Sequence, residues 1–276
     1  MRIRAKVAYD GTEFAGFQKQ AGVRTVQGEL EAALKRVCER PITVSGAGRT
    51  DTGVHASGQV IAFDVEWVHG LERLTQALNV NLPEDVAVRD LDECGPSFHP
   101  RFSALSRVYV YNALVSPTRD PVRRRYVWHL TDMPDVTRMN EAARRLVGSH
   151  DFAAFGSAPL GLAGSAGRRR DLSDSDSPDR DNDDDSGRSG RAKGGTTVRD
   201  VKRAEWVTAA DGLMFTVEAN AFLYRMVRRM VMALIRVGRG QLSPVELAQI
   251  LESKDSQRLK GLAPACGLCL VDVKYA

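Results

Sequence analysis

The chain reads as an α+β protein of two similar α/β halves, with mainly antiparallel sheets packed side by side. Three observations carry that reading. Segments with period-two alternation are mostly joined by hairpin-like connections with helices only intermittently between them, which favours antiparallel sheets over a doubly wound parallel one. The order of elements in the second half echoes the first. At 276 residues with 43% hydrophobic side chains, the chain can fill one large domain or two medium ones. We divide it into an N-terminal half, 1–115, and a C-terminal half, 116–276.

In chain order, residues 3–9 alternate as a first strand, and Val26, Leu30, Leu34 and Val37 trace a helical stripe after Thr25, a plausible N-cap. Short β-rich runs follow at 41–45 and 59–65. A helix is expected over 71–78, a strand around 86–89, and a strongly alternating strand over 107–114. In the second half a helix begins at Asp135 and runs through Leu146 and Val147, strands are expected at 197–207 and 213–219, and a long helix from about Phe222 to Val237. Ser243-Pro244-Val245-Glu246 spells a capping box with proline at the first helical position, and a final strand spans roughly 267–275. Between Phe155 and Thr196 periodicity disappears. The tract from about 161 to 195 is Gly/Ser/Asp/Arg-rich with almost no apolar side chains, so it is expected to be a disordered surface insertion, because it cannot bury enough surface to offset its ordering entropy. An acidic decoy competing with RNA for a basic surface is its functional alternative.

Lysine plus arginine at 39 against 35 acidic residues gives a net charge of +4, and the acids are densest from Asp171 to Asp185, so the folded remainder is more basic than the total. That permits an anionic partner. The N-terminus enters a strand directly without a signal pattern, and no apolar run approaches membrane-spanning length, which points to a cytoplasmic protein without membrane attachment. Cys38, Cys94, Cys266 and Cys269 are too few and too scattered for a disulfide scaffold. Cys266 and Cys269 have the spacing of half a zinc site or a redox pair, but no second pair accompanies them and the segment reads as buried strand, so we assign no metal.

The chemistry-bearing stretch is Gly46-Ala47-Gly48-Arg49-Thr50-Asp51-Thr52-Gly53-Val54-His55-Ala56, a carboxylate on a strand-to-strand loop among glycines, hydroxyls, an arginine and a histidine. Glycines 46, 48 and 53 are expected to permit positive φ and close approach of a ligand or another chain. An Asp in such a turn can simply cap its own backbone. Asp51-Thr52-Gly53 also spells an aspartic-protease triplet, with Asp185-Ser186-Gly187 as a second copy, but that dyad needs each carboxylate at the end of an apolar strand, and neither context supplies one.

The segment from Gly48 to Ala56 strongly resembles the signature of the tRNA pseudouridine synthase A family, and it does not stand alone. Residues 9–18, 25–31, 79–83, 98–104, 107–111, 151–155, 220–228 and 267–270 resemble further family motifs in the same order, covering nearly the whole chain apart from the insertion. The resemblance implies isomerisation of uridine to pseudouridine in the anticodon stem-loop of tRNA, at positions 38, 39 and 40, without a cofactor and by a homodimer, with an active-site cleft between the two halves of each chain. It implies that Asp51 is the nucleophile, attacking ribose C1′ or uracil C6 of a flipped-out base. A carboxylate suits that task because it can form a covalent intermediate and leave again. Tyr109 matches the active-site tyrosine that packs on the base and is a candidate to take the C5 proton; Tyr111 shares its face, and spacing alone does not choose between them. Arg228 matches the basic residue that pairs with the aspartate, on a helix whose Arg225, Arg228, Arg229 and Arg236 are expected on one face as site or phosphate contacts. Arg49 would hold RNA or fill the space of the flipped base. His55 would contact substrate or brace the turn. Arg119, Arg123, Arg124 and Arg125 near Trp128 form a plausible tRNA-backbone patch. The alternative from another class is a noncatalytic RNA-binding or RNA-folding protein on the same scaffold.

Overall fold

The computed structural model describes residues 1–157 and 196–276. The expected insertion at about 161–195 lies outside the described residues. The first strand, β1 (Arg2–Tyr9), alternates buried and outward side chains, as its sequence does. Helix α1 (Val26–Cys38) starts where Thr25 accepts a hydrogen bond from the Gly28 N–H and buries Val26, Leu30, Ala33 and Leu34. Then come β2 (Ser45–Gly46), the Asp51 loop, β3 (His55–Asp64), α2 (Leu71–Asn81), β4 (Val86–Cys94) and β5 (Ser106–Val115). The second half holds β6 (Trp128–Leu130), α3 (Val136–Arg144), β7 (Gly148–Asp151), β8 (Val198–Ala209), β9 (Gly212–Ala219), α4 (Met226–Gly238), α5 (Pro244–Ser253) and β10 (Leu268–Lys274).

Among the described residues the strands of the two halves interleave in one mainly antiparallel ten-stranded sheet, β10 of the second half lying between β3 and β5 of the first, so the α+β class read from the sequence is the one observed, with one shared sheet in place of two packed side by side. Its main order is β4-β1-β3-β10-β5-β9-β8-β7, with β2 paired to β3 and β6 to β5. Helix α1 packs on α2, α2 on β4, and α3 on α4, α5 and β8. Among the described residues no helix is long and apolar enough to cross a membrane.

The C-terminal strand β10 fills the slot between β3 and β5. It runs antiparallel to β5, with Leu268 opposite Tyr111 and Leu270 opposite Tyr109. Against β3 it is parallel, with Cys269 opposite His55 and Leu270 opposite Ala56. Leu270 therefore separates Tyr109 from the start of β3, four residues beyond Asp51. A register shift between Leu270 and Asp272 interrupts the pairing with β5. The Val271 carbonyl oxygen lies only 2.0 Å from where a Cβ on Gly58 would be, so only glycine fits there.

Several expectations need correction. Residues 41–44 do not form a strand, because the backbone of Val44 is taken by α1: its carbonyl accepts from Gln27 and its N–H donates to Glu31. The long helix starts at Met226, not Phe222. Tyr224 is held in an antiparallel bridge to Ser157, and Arg225 sits in the left-handed region at φ 61°, immediately before the helix. Helix α3 ends at Arg144, short of Leu146 and Val147, and the sequence reading missed β6 and β7. The capping box at Ser243 and Glu246 forms as expected, with Pro244 in the first turn.

Two outcomes test this architecture. Gly58→Ala should cost about 3 kcal/mol or more in urea unfolding, since its Cβ meets backbone that cannot yield, whereas Gly48→Ala, with nothing within 4 Å of the added atom, should stay within about 0.5 kcal/mol. Glu218 on β9 accepts from Lys274 of β10 at 2.7 Å and from Ser106 of β5 at 2.6 Å, and these bonds, Lys274 first, hold its carboxyl below the ordinary value. A depressed folded pKa contributes stability above the unfolded pKa of about 4.3 and loses it as pH falls through the lower folded value. Melting curves of Glu218→Gln between pH 6 and 3 should therefore show a smaller acid-side fall in Tm than those of the parent chain.

Candidate active site

The loop between β2 and β3 is tied down along its whole length. Ala47 N–H donates to Val60 O at 2.8 Å, Phe17 N–H to Thr50 O at 3.1 Å, and Val54 N–H to Asp51 O at 3.1 Å. Gln59 Nε2 donates to Gly48 O, and the Thr50 hydroxyl shares a buried 2.8 Å hydrogen bond with Tyr9. The three glycines expected to be alike have different roles. Gly53 alone among them takes positive φ, at 76°; Gly46 is covered by the Phe17 ring; Gly48 borders open space where another chain can approach.

Asp51 and Arg228, 177 positions apart, meet with Nη1 to Oδ2 at 3.3 Å. Their side chains are 19% and 14% exposed, so both ions are largely withdrawn from water. The attraction is about 5 kcal/mol at an effective dielectric near 20, and most of it is offset by desolvating the two groups, so the pair chiefly sets geometry. Arg228 is held independently: its Nε donates to Ala263 O at 2.8 Å, and its own carbonyl accepts from Ala263 N–H.

Tyr109, on β5 opposite Leu270, is 8% exposed and packs edge-on against Phe222 with ring centroids 5.2 Å apart. Burial pushes its phenol well above the ordinary value, with Tyr9 and the nearby Asp51 carboxylate adding to the shift, so it is protonated at neutral pH. Tyr111 is distinguished from it by the structure. Its ring is fully buried and its hydroxyl donates to Pro264 O at 2.9 Å.

Sequence reasoning missed Arg107. This guanidinium is 8% exposed and donates to three backbone carbonyls: Asn220 at 2.7 Å, Ala47 at 3.0 Å and Arg101 at 2.6 Å. It thereby joins the Asp51 loop, the 98–105 loop and the segment leading to α4. The signal was present in the sequence, because Arg107, Tyr109 and Tyr111 share one strand face by the two-residue period, and a charge on a buried face needs partners.

The other site residues scatter. Arg49 is exposed and its Nε donates to Gln18. Arg123 is engaged by Asp120 at 2.9 Å and Asp211 at 2.6 Å, while Arg124 is exposed and Arg125 lies 3.6 Å from Glu13. Arg225 precedes α4 rather than sharing its cationic face, and its guanidinium lies 4.8 Å from the Tyr224 ring centroid. His55 is 6% exposed, with Nδ1 3.0 Å from Gly11 N and Nε2 2.8 Å from Arg125 O. Cys266 and Cys269 face different partners, Val127 O and Ser57, and burial pushes both thiols up, away from thiolate.

Known proteins share this arrangement of sequence. The family model described as tRNA pseudouridine synthase matches residues 5–103 and 182–276, which include Asp51, Arg107's carbonyl partners at Ala47, Arg101 and Asn220, and Arg228. Proteins named tRNA pseudouridine synthase A are similar along the full chain: that of Brevibacillus brevis is 38% identical over 274 residues, covering 99% of each chain. That of Geobacillus kaustophilus is 39% identical over 278 residues, covering 99% of this chain and 94% of its own. That of Bacillus subtilis is 36% identical over 277 residues, covering 100% and 99%. With a family model that matches most of the chain, the loop that carries Asp51 included, and relatives more than a third identical along nearly its full length, the chain belongs to the tRNA pseudouridine synthase family.

Proposed function

We propose that this protein isomerises uridine to pseudouridine in the anticodon stem-loop of tRNA, at positions 38, 39 and 40, with Asp51 as nucleophile. The observation that carries the assignment of Asp51 is its meeting with Arg228 at 3.3 Å beside the buried Tyr109, in a chain of this family. The carboxylate adds to the substrate, the N1–C1′ bond breaks, the base turns, C5 bonds to C1′, and the carboxylate–substrate bond breaks to free Asp51 again. C5 gives up its proton and N1 gains one, so the reaction balances without a co-reactant. Arg228 holds the carboxylate in place for attack, and Ala263 holds Arg228. Tyr109 meets the base as a neutral ring and hydroxyl, and it can take the C5 proton only as it passes its own onward.

Arg49 and Arg124, both exposed, are proposed to contact the RNA, with Arg123 and Arg225 contributing at the margins. The nucleophile comes from the 1–115 half and its arginine from the 116–276 half, so the site is assembled across the division. The working unit is proposed to be a cytoplasmic homodimer.

Release of tritium from C5-labelled uridine in unmodified tRNA tests the reading. The protein should release it, Asp51→Asn should lower turnover by at least about 10³-fold, and Tyr109→Phe by about 10²-fold. No release from any anticodon stem-loop substrate, with RNA binding intact, would sink the enzyme reading and leave the noncatalytic RNA-binding alternative. Arg107→Met, which leaves three carbonyls without their donor, should destabilise the fold by about 3 kcal/mol in urea unfolding and lower turnover in the folded fraction.

A further inference from the structure

The segment 116–127, which joins β5 to β6, carries Arg119, Arg123, Arg124 and Arg125. It is fastened to the turn at 10–13 and to His55 by a continuous set of contacts. Tyr126 Oη donates to Asp10 Oδ2 at 2.8 Å. The other carboxylate oxygen of Asp10 accepts from Thr12 N–H at 3.0 Å and lies 3.2 Å from His55 Nδ1. His55 Nδ1 accepts from Gly11 N–H, which puts the ring proton on Nε2, where it donates to Arg125 O at 2.8 Å. The Tyr126 and His55 rings pack with centroids 5.2 Å apart, and Arg125 Nη2 lies 3.6 Å from Glu13.

The same turn is pressed against the Asp51 loop. A Cβ on Gly11 would lie 2.0 Å from Val54 O, and Val54 N–H donates to Asp51 O. The chain of contacts therefore runs from the arginine segment through His55 and Asp10 to the backbone of Asp51.

We propose that His55, Asp10 and Tyr126 are positioning residues that fix the arginine segment relative to the Asp51 loop, so that RNA phosphates held by Arg124 deliver the target uridine in register with the nucleophile. This rests on the pseudouridine synthase reading above. His55 is thereby assigned to placing two protein segments rather than to touching substrate. Burial opposes ionisation of Asp10, but the hydrogen bonds from Thr12 and Tyr126 outweigh it and hold the carboxyl below its ordinary value, keeping an anion at the centre of the network.

The test compares the parent chain, Tyr126→Phe, Arg124→Ala and the double variant. Each is assayed for binding of an unmodified anticodon stem-loop RNA across a salt series and for turnover by tritium release. Tyr126→Phe should weaken binding and raise KM about fivefold while changing kcat less. Arg124→Ala should reduce the salt slope by about 1 in the parent background and by less than half as much in the Tyr126→Phe background. His55→Gln, which can both accept from Gly11 and donate to Arg125, should restore most of the binding lost in His55→Ala. Additive effects of Tyr126→Phe and Arg124→Ala, unchanged binding in Tyr126→Phe, or a loss confined to kcat would overturn the proposal. Binding is read without turnover, so failure of the parent chain to release tritium would count against the proposed function and leave the positioning claim to the binding measurements.

Discussion

The site depends on β10 lying between β3 and β5. Two antiparallel groups of strands would otherwise each present an open edge, and the Asp51 loop would have no fixed relation to Tyr109. One strand satisfies both edges by pairing parallel on one side and antiparallel on the other, with Leu270 facing Ala56 and Tyr109 at once. Gly58 permits this, because the Val271 carbonyl occupies the volume any side chain there would need. Glu218 then bonds Lys274 of β10 and Ser106 of β5, adding a polar tie across the same junction.

On that frame two guanidinium groups fix the Asp51 loop in different ways. Arg228 faces a carboxylate, and the pair spans 177 positions of sequence. Arg107 faces carbonyls, so it joins three loops without surrendering its charge to an acid. Burial lowers its pKa, yet a guanidinium starts so high that it stays protonated. Its charge is thus held against the Ala47 end of the Asp51 loop, next to Gly48, which borders open space.

Local rules were legible wherever one segment contains both partners of an interaction. Thr25 and Gly28, or Ser243 and Glu246, form their caps within four residues, and the alternation of residues 107–114 encodes a strand whatever its neighbours are. Two of the failures involve partners outside the segment itself. Val44 would have extended a strand had Gln27 and Glu31 not captured its backbone, and Tyr224 would have continued a helix had Ser157 not bridged it. The short strands β6 and β7 have too few residues to show a period, and they exist because β5 and β8 offer them an edge.

By itself, then, the sequence determined the α+β class, the helix caps, the strong strands and, through the motif around Asp51, the family and the catalytic candidates, since all of these are written in residue type and short spacing. Only the tertiary structure decided that the two halves share one sheet, that Arg107 is a hub, that Arg225 lies off the helix, and that His55 has both ring nitrogens engaged by protein. Those outcomes turn on which backbone carbonyls and strand edges arrive beside a given side chain, and that is set by segments remote in sequence, β10 between β3 and β5, Ser157 beside Tyr224 and Arg125 beside His55, not by anything local to the residue.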